Sequence, residues 1–111
     1  EVHKILCSAF KLKNIHSEYG MTELLSQAYS KKDGVFQTPA WMKILIRDIY
    51  DPLSVTQNNS SGAINIIDLA NVFSCPFIAT NDTGILISEN MFKLNGRISN
   101  SDLRGCNLLV E

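Results

Sequence analysis

Five short apolar stretches, at residues 42–49, 63–69, 77–80, 85–88 and 91–94, follow one another with turn-forming residues between them. Runs of four to eight residues rich in Ile, Leu, Val and Phe, bounded by Gly, Pro, Asn and Asp, predict strands. Strands this short and this closely spaced fold into an antiparallel meander or a small barrel. Asp51-Pro52 closes the first stretch, which carries Lys43 and Arg47 on one face. Asn81-Asp82-Thr83-Gly84 and Glu89-Asn90 read as turns between the last three. The polar tract 54–62, with Gln57, Asn58, Asn59, Ser60 and Ser61 in a row, is either an exposed hairpin tip or a disordered loop.

The first residues follow a different period. Val2, Ile5, Leu6, Ala9 and Phe10 recur at i, i+3, i+4, i+7 and i+8, with His3, Lys4, Ser8 and Lys11 elsewhere on the wheel, which predicts one amphipathic helix. Residues 14–19 read as a short strand running into Gly20, where the backbone can turn sharply. Residues 22–27 form either a helical turn or an irregular loop. Residues 31–39 carry loop signals, with Lys31-Lys32-Asp33-Gly34 as a turn. The expected fold is α+β with β dominant: one amphipathic helix plus a small antiparallel meander or partial barrel. Residues 1–111 make a single domain-sized unit, divided into 1–30, a β-rich part at 40–97 and a tail at 98–111.

Composition narrows the function. Ten Lys and Arg stand against eleven Asp and Glu, a formal charge of −1, so the chain is neither a strongly basic nucleic-acid module nor a polybasic membrane anchor. Its 45% apolar content is that of a folded chain. The most apolar stretch, 63–79, is interrupted by Asn65, Asp68, Asn71, Ser74 and Pro76, whereas a membrane span needs about 20 mostly apolar residues. Three widely separated cysteines, Cys7, Cys75 and Cys106, contain no C-x-x-C pair and read as reduced thiols, with Cys7 and Cys75 in the core. A soluble cytoplasmic protein is expected.

Three local clusters carry chemistry. In Ser17-Glu18-Tyr19-Gly20-Met21-Thr22-Glu23 a turn glycine sets an aromatic ring, a hydroxyl and a carboxylate beside one another at a strand end. A ring can stack on a base, while Thr and Glu can hold phosphate oxygen and Mg²⁺. Thr80-Asn81-Asp82-Thr83-Gly84 presents one carboxylate, whose paired oxygens match the vicinal hydroxyls of a ribose. Gly96-Arg97, with Ser99-Asn100-Ser101-Asp102-Leu103-Arg104-Gly105 after it, reads alone as a solvated charged loop.

In order and spacing, Y-G-M-T-E, a β-rich stretch, T-x-D-x-G and then G-R resemble the adenylate-forming superfamily of acyl-CoA synthetases, luciferases and peptide-synthetase adenylation domains. The fuller text, S-E-Y-G-M-T-E-L-L-S-Q-A-Y-S, P-A-W-M-K-I-L-I-R-D and S-D-L-R-G-C-N-L-L-V, is similar to the acyl-protein synthetase family and its bacterial acyltransferase relatives. The resemblance implies that Tyr19 packs against adenine, that Gly20 lets the chain turn, and that Thr22 contacts the α-phosphate. It implies Glu23 as a carboxylate holding Mg²⁺, Asp82 as the ligand of both ribose hydroxyls and Arg97 as an arginine near that sugar. The implied cofactors are ATP and Mg²⁺, and the implied partners are a fatty or other carboxylic acid and a thiol acceptor, either a protein cysteine or coenzyme A. Cys106, in R-G-C-N-L-L-V, is then a candidate acyl acceptor, or else a packed thiol beside an apolar tail.

The departures are as specific as the matches. No Gly-rich, Ser/Thr-rich phosphate loop precedes Tyr19, no C-terminal catalytic lysine follows Arg97, and Ser99 stands where many relatives have an Asp. A C-terminal fragment of a longer enzyme, inactive alone, is therefore expected, with exposed surfaces that favour a homo-oligomer. The competing reading is a non-catalytic nucleotide- or protein-binding β module. His16 can line an acyl pocket and His3 lies on the polar side of the helix. Neither has a second ligand at metal-binding spacing, and Trp41 reads as a core or loop anchor.

Overall fold

Alternation along the chain builds one sheet. The computed structural model describes residues 1–56 and 59–98. After helix α1 (Val2–Phe10) come β1 (Ser17–Tyr19), β2 (Ala28–Ser30), β3 (Val35–Gln37), β4 (Met42–Arg47), β5 (Ser61–Asp68), β6 (Phe77–Ser88) and β7 (Met91–Arg97), with a 3-10 turn at Leu69–Asn71. The strands form a single sheet in the order β1-β2-β3-β7-β6-β5-β4, with every neighbouring pair antiparallel. The fold is α+β and β-dominant. Met42, Ile44 and Ile46 on β4 and Ile64 and Ile66 on β5 point inward, while Lys43 is exposed, the period-two pattern of a half-buried strand.

The sheet is coiled into an open barrel. β1 and β6 stand four places apart in the strand order, which in a flat sheet is about 19 Å. Yet the Tyr19 hydroxyl on β1 lies 2.8 Å from the Asp82 carboxylate on β6. The interior holds Tyr19, Leu24, Ala28, Phe36, Met42, Ile44, Ile46, Ile64, Ile66 and Phe92 as one cluster. Two glycines allow the coil. Gly62 and Gly84 face each other across β5 and β6. A Cβ at Gly62 would run into the Arg47 carbonyl, and one at Gly84 into the Lys93 carbonyl and the Ile64 side chain.

One carboxylate fastens the barrel at the end of β5. Asp68 is fully buried and its two oxygens accept four hydrogen bonds. They come from the Leu25 and Ser26 amides (3.0 and 2.9 Å), the Ser26 hydroxyl (2.6 Å) and the Ala70 amide (3.1 Å). The segment between β1 and β2 is thereby tied to β5. It turns once, closed by the Leu24 amide on the Met21 carbonyl at 3.1 Å. It then runs extended with Leu24, Ser26 and Ala28 buried, so of the two expectations for 22–27 the irregular loop is the one found.

Several sequence expectations are corrected. Residues 81–84 are not a turn but the middle of β6, because the long strand bends through bulges instead of breaking. The stretch 31–39 contains β3, and β2 was not anticipated; three-residue strands offer too few residues for a period to show. Gly20 has no positive φ, and a Cβ there would meet the flexible Gln27 side chain at 3.1 Å and Glu18 Oε1 at 3.9 Å. The turn at 31–34 is present, with Asp33 and Gly34 at φ 60° and 66°, the left-handed pair that tight hairpins favour. Cys75 is exposed and Cys7 half-buried, so neither is a core thiol. Helix α1 forms as its pattern predicts but buries no residue, leaving Val2, Ile5 and Phe10 exposed. Among the described residues, no helix is long and apolar enough to cross a membrane.

Burial raises the Asp68 pKa, but the hydrogen bonds from Ser26, Leu25 and Ala70 outweigh it and hold the carboxyl below its ordinary 3.8. The stability it contributes is therefore fully present above that ordinary value and is lost as pH falls through the lower folded value. Asp68→Ala should lower unfolding free energy by about 3 kcal/mol or more, since it strands several buried donors. Asp68→Asn should cost less and should flatten the acid limb of the denaturant midpoint below about pH 4. A wild-type acid limb unchanged in Asp68→Asn would show that this carboxylate is not the acid-sensitive latch.

Candidate functional site

Each of the three sequence clusters brings one residue to the site: Tyr19, Asp82 and Arg97. Tyr19, the last residue of β1, donates its hydroxyl to Asp82 Oδ2 at 2.8 Å. Arg97, the last residue of β7, donates Nε to Asp82 Oδ1 at 3.1 Å. Asp82 and Arg97 are register partners across β6 and β7. The pairing depends on a local irregularity: the register shifts between Thr83 and Gly84, leaving Asn95 without a partner on β6. Gly96 adopts φ 143°, a conformation that L side chains rarely take. The bulge swings Arg97 back over Asp82, so Gly96-Arg97 is a strand end and not the solvated loop its composition suggests.

A second layer fixes the carboxylate from behind. The Asp82 amide donates to Thr80 Oγ1 at 3.1 Å, and Thr80 Oγ1 donates to the Ile64 carbonyl at 2.9 Å. Arg47 on β4 reaches across β5, donating to Asn65 Oδ1 and to the Thr80 carbonyl, both at 2.6 Å. Two strands, β1 and β7, thus bond the Asp82 side chain, and β4 and β5 brace the Thr80 that holds its backbone. Sequence reasoning missed Thr80 and Arg47. The available signal was an arginine inside an apolar strand, which needs buried acceptors to be tolerated there.

Tyr19 joins the core to the site. Its ring is 7% exposed, edge-on to Phe92 at 5.4 Å and to Phe36 at 6.1 Å, so it belongs to the core and offers the site its hydroxyl instead of a stacking face. Burial, the hydrogen bond to Asp82 and the charge of that carboxylate all push the Tyr19 phenol well above the usual tyrosine range, against smaller opposing effects of Thr80 and Arg97. The hydroxyl remains a donor at any physiological pH. Asp82 keeps capacity to bind: a carboxylate offers about four acceptor positions, two are used, and 17% of its side chain is exposed. The Arg97 side chain is 54% exposed and engages through Nε.

Thr22 and Glu23 lie on the exposed loop after Tyr19. Among the described residues, no hydrogen bond joins either side chain to Asp82 or Arg97; the loop is held by Asn71 Nδ2 on the Glu23 carbonyl, 2.9 Å away. His16 is exposed, and His3 Nε2 sits 3.1 Å from Ser17 Oγ. Trp41 is a loop anchor, donating Nε1 to Ser26 Oγ at 2.8 Å. Among the described residues, no three His, Cys, Asp or Glu side chains cluster as metal ligands. Ser99 and Cys106 lie outside the described residues.

No family model and no curated protein matches the chain. Among solved structures, the luciferase-like enzyme from the nonluminescent Zophobas morio mealworm superposes with a TM-score of 0.62 at 18% identity, over 86% of this chain. The chain spans 28% of the length of that protein. At that identity the likeness establishes a shared fold: the coiled sheet described here is also found within a luciferase-like enzyme.

Tyr19→Phe keeps the ring packing and deletes only the hydroxyl. It should cost about 1–2 kcal/mol in denaturant unfolding, with near-native spectroscopic signatures of the core. A variant as stable as wild type would mean that the hydroxyl does not tie β1 to β6.

Proposed function

We propose that this chain is the nucleotide-binding, C-terminal part of an ATP-dependent acyl-activating enzyme, of the adenylate-forming kind and closest to acyl-protein synthetases. The observation that carries the reading is Asp82, a carboxylate fixed by a phenol, an arginine and its own backbone, with acceptor positions still open. A carboxylate held this way can take both vicinal hydroxyls of a ribose without a further ordering cost. The fold shared with a luciferase-like enzyme supports the same reading.

In this proposal Arg97 supplies further donors beside the sugar from its half-exposed guanidinium. Thr22 and Glu23, exposed and placed three and four residues after Tyr19, approach the α-phosphate and its Mg²⁺. Gly20 spaces that loop from β1. A carboxylate oxygen of the acid then attacks the α-phosphorus, forming the acyl–phosphate bond as the bond to pyrophosphate breaks. The chain's part is positioning and neutralisation of charge. The thiolate of coenzyme A, or of a protein cysteine such as Cys106, then attacks the acyl carbon, forming a thioester as the bond to AMP breaks and AMP leaves. The acid is a fatty or other carboxylic acid.

The test is ATP–pyrophosphate exchange by the full-length protein carrying this chain, against a panel of fatty and aromatic acids, with Asp82→Asn and Asp82→Ala as controls. Exchange should depend on one class of acid and fall about 100-fold in Asp82→Ala, the equivalent of two hydrogen bonds to a charged group. Denaturation curves of both variants separate loss of fold from loss of binding. A folded protein that binds ATP yet exchanges with no acid would replace this reading by the non-catalytic nucleotide-binding module.

A further inference from the structure

Thr22 and Glu23 are the two central residues of a tight turn. It is closed by the Leu24 amide on the Met21 carbonyl at 3.1 Å, the bond that defines a four-residue turn. Both flanks are set in the core: Leu24 is buried, and Met21 packs against the same cluster. Those contacts fix where the turn begins and ends. A further hold acts on the peptide between Glu23 and Leu24. The Glu23 carbonyl accepts from Asn71 Nδ2 at 2.9 Å, across 48 positions of the chain. Beyond the turn, the Leu25 and Ser26 amides are taken by Asp68.

Asn71 is a fixed point because it is itself held. It ends the 3-10 turn Leu69–Asn71, which Asp68 caps by accepting from the Ala70 amide. The Asp68 amide donates to the Pro76 carbonyl at 2.8 Å, and the Ser74 amide to the Asn71 carbonyl at 3.2 Å. Residues 68–76 thereby close into a ledge at the end of β5. Asn71 is 7% exposed, and its Nδ2 donates a second time, to the Cys75 carbonyl at 3.2 Å. Both partners are carbonyl oxygens, so only the amino end of the amide can face them, and each of its two hydrogens serves one. An oxygen in place of that nitrogen would set acceptor against acceptor. A buried amide committed in this way loses its rotamer freedom on folding and not again when a ligand arrives.

We infer that Asn71 is a positioning residue for the turn at Thr22 and Glu23. Through the Glu23 carbonyl it sets where the Thr22 hydroxyl and the Glu23 carboxylate stand, and so how they meet the α-phosphate and its Mg²⁺. This role rests on the adenylation proposed for the site. Asn71 lies outside the Y-G-M-T-E motif, and no sequence spacing joins it to that motif. Asp68 and Asn71 divide the hold: Asp68 fixes the segment leaving the turn, and Asn71 fixes the turn itself. Loss of Asn71 therefore frees the turn and its ledge while the barrel stays closed.

Two variants of the full-length protein test this. Asn71→Ala removes the donor, and Asn71→Asp keeps the size and shape while exchanging the amino group for an acceptor. Without nucleotide, amide hydrogen exchange across residues 21–26 should be at least tenfold faster in both, with β4, β5 and β6 exchanging as in wild type. In the ATP–pyrophosphate assay the Mg²⁺ concentration for half-maximal rate should rise about tenfold, the equivalent of one lost hydrogen bond. The KM for ATP at saturating Mg²⁺ should stay within about twofold of wild type, because Asp82 still holds the ribose. In a Glu23→Gln background, Asn71→Ala should move the Mg²⁺ midpoint by less than about twofold, since the group it positions is gone. A general loosening of the fold would instead lower the rate alike in both backgrounds and leave that midpoint unmoved. The role is overturned if residues 21–26 exchange hydrogen as in wild type, if the Mg²⁺ midpoint stays put, or if the effects of the two substitutions multiply. A wild-type protein that exchanges pyrophosphate with no acid overturns the adenylation and this role with it. A wild-type protein that does exchange, matched by both Asn71 variants, overturns this role alone.

Discussion

A buried carboxylate at the end of β5 decides the shape of everything around it. Asp68 has no exposed surface, and it is tolerated because two backbone amides, a hydroxyl and a third amide fill its acceptor positions. Leaving such a group unpaired would cost far more than an ordinary hydrogen bond contributes. The segment after Tyr19 is therefore held against β5, and a sheet that would otherwise be open is drawn into a barrel. Trp41 and the 3-10 turn at Leu69–Asn71 join the same network through Ser26 Oγ and the Ala70 amide.

Once the barrel is drawn in, the end of β1 comes within reach of β6. Tyr19 then fills two roles that ordinarily fall to different residues. Its ring packs with Phe36 and Phe92 at the centre of the core, and its hydroxyl orients Asp82. The bulge at Gly96 supplies the other partner by turning Arg97 inward. Rigidity at Asp82 is thus a consequence of core packing. Phe36 and Phe92 are joined to the carboxylate through Tyr19.

The two faces of the β2–β3–β7 region differ. Ala28, Phe36 and Phe92 point inward and complete the core, while the register neighbours Tyr29, Gln37 and Met91 face outward. Strand alternation gives both surfaces to the same few residues. Three residues suffice for β2 and β3 because both are braced on two sides within the sheet, β2 between β1 and β3 and β3 between β2 and β7.

What the sequence by itself determined was the class of fold, the amphipathic helix, the strands rich in Ile and Leu, and the sequence positions of Tyr19, Asp82 and Arg97. These are legible because hydrophobic period and motif spacing are local properties of the chain. The tertiary structure alone decided that Asn81–Gly84 runs on as strand, because its hydrogen bonds go to β5 and β7 and not back across a turn. It alone decided that β2 and β3 exist, that Tyr19 turns its ring inward, and that Arg47, Thr80 and Asp68 stand behind the site. The side-chain bonds Tyr19–Asp82, Ser26–Asp68, Arg47–Thr80 and Thr80–Ile64 join partners from 16 to 63 residues apart in the chain, and no local pattern encodes which distant partner a polar side chain will find.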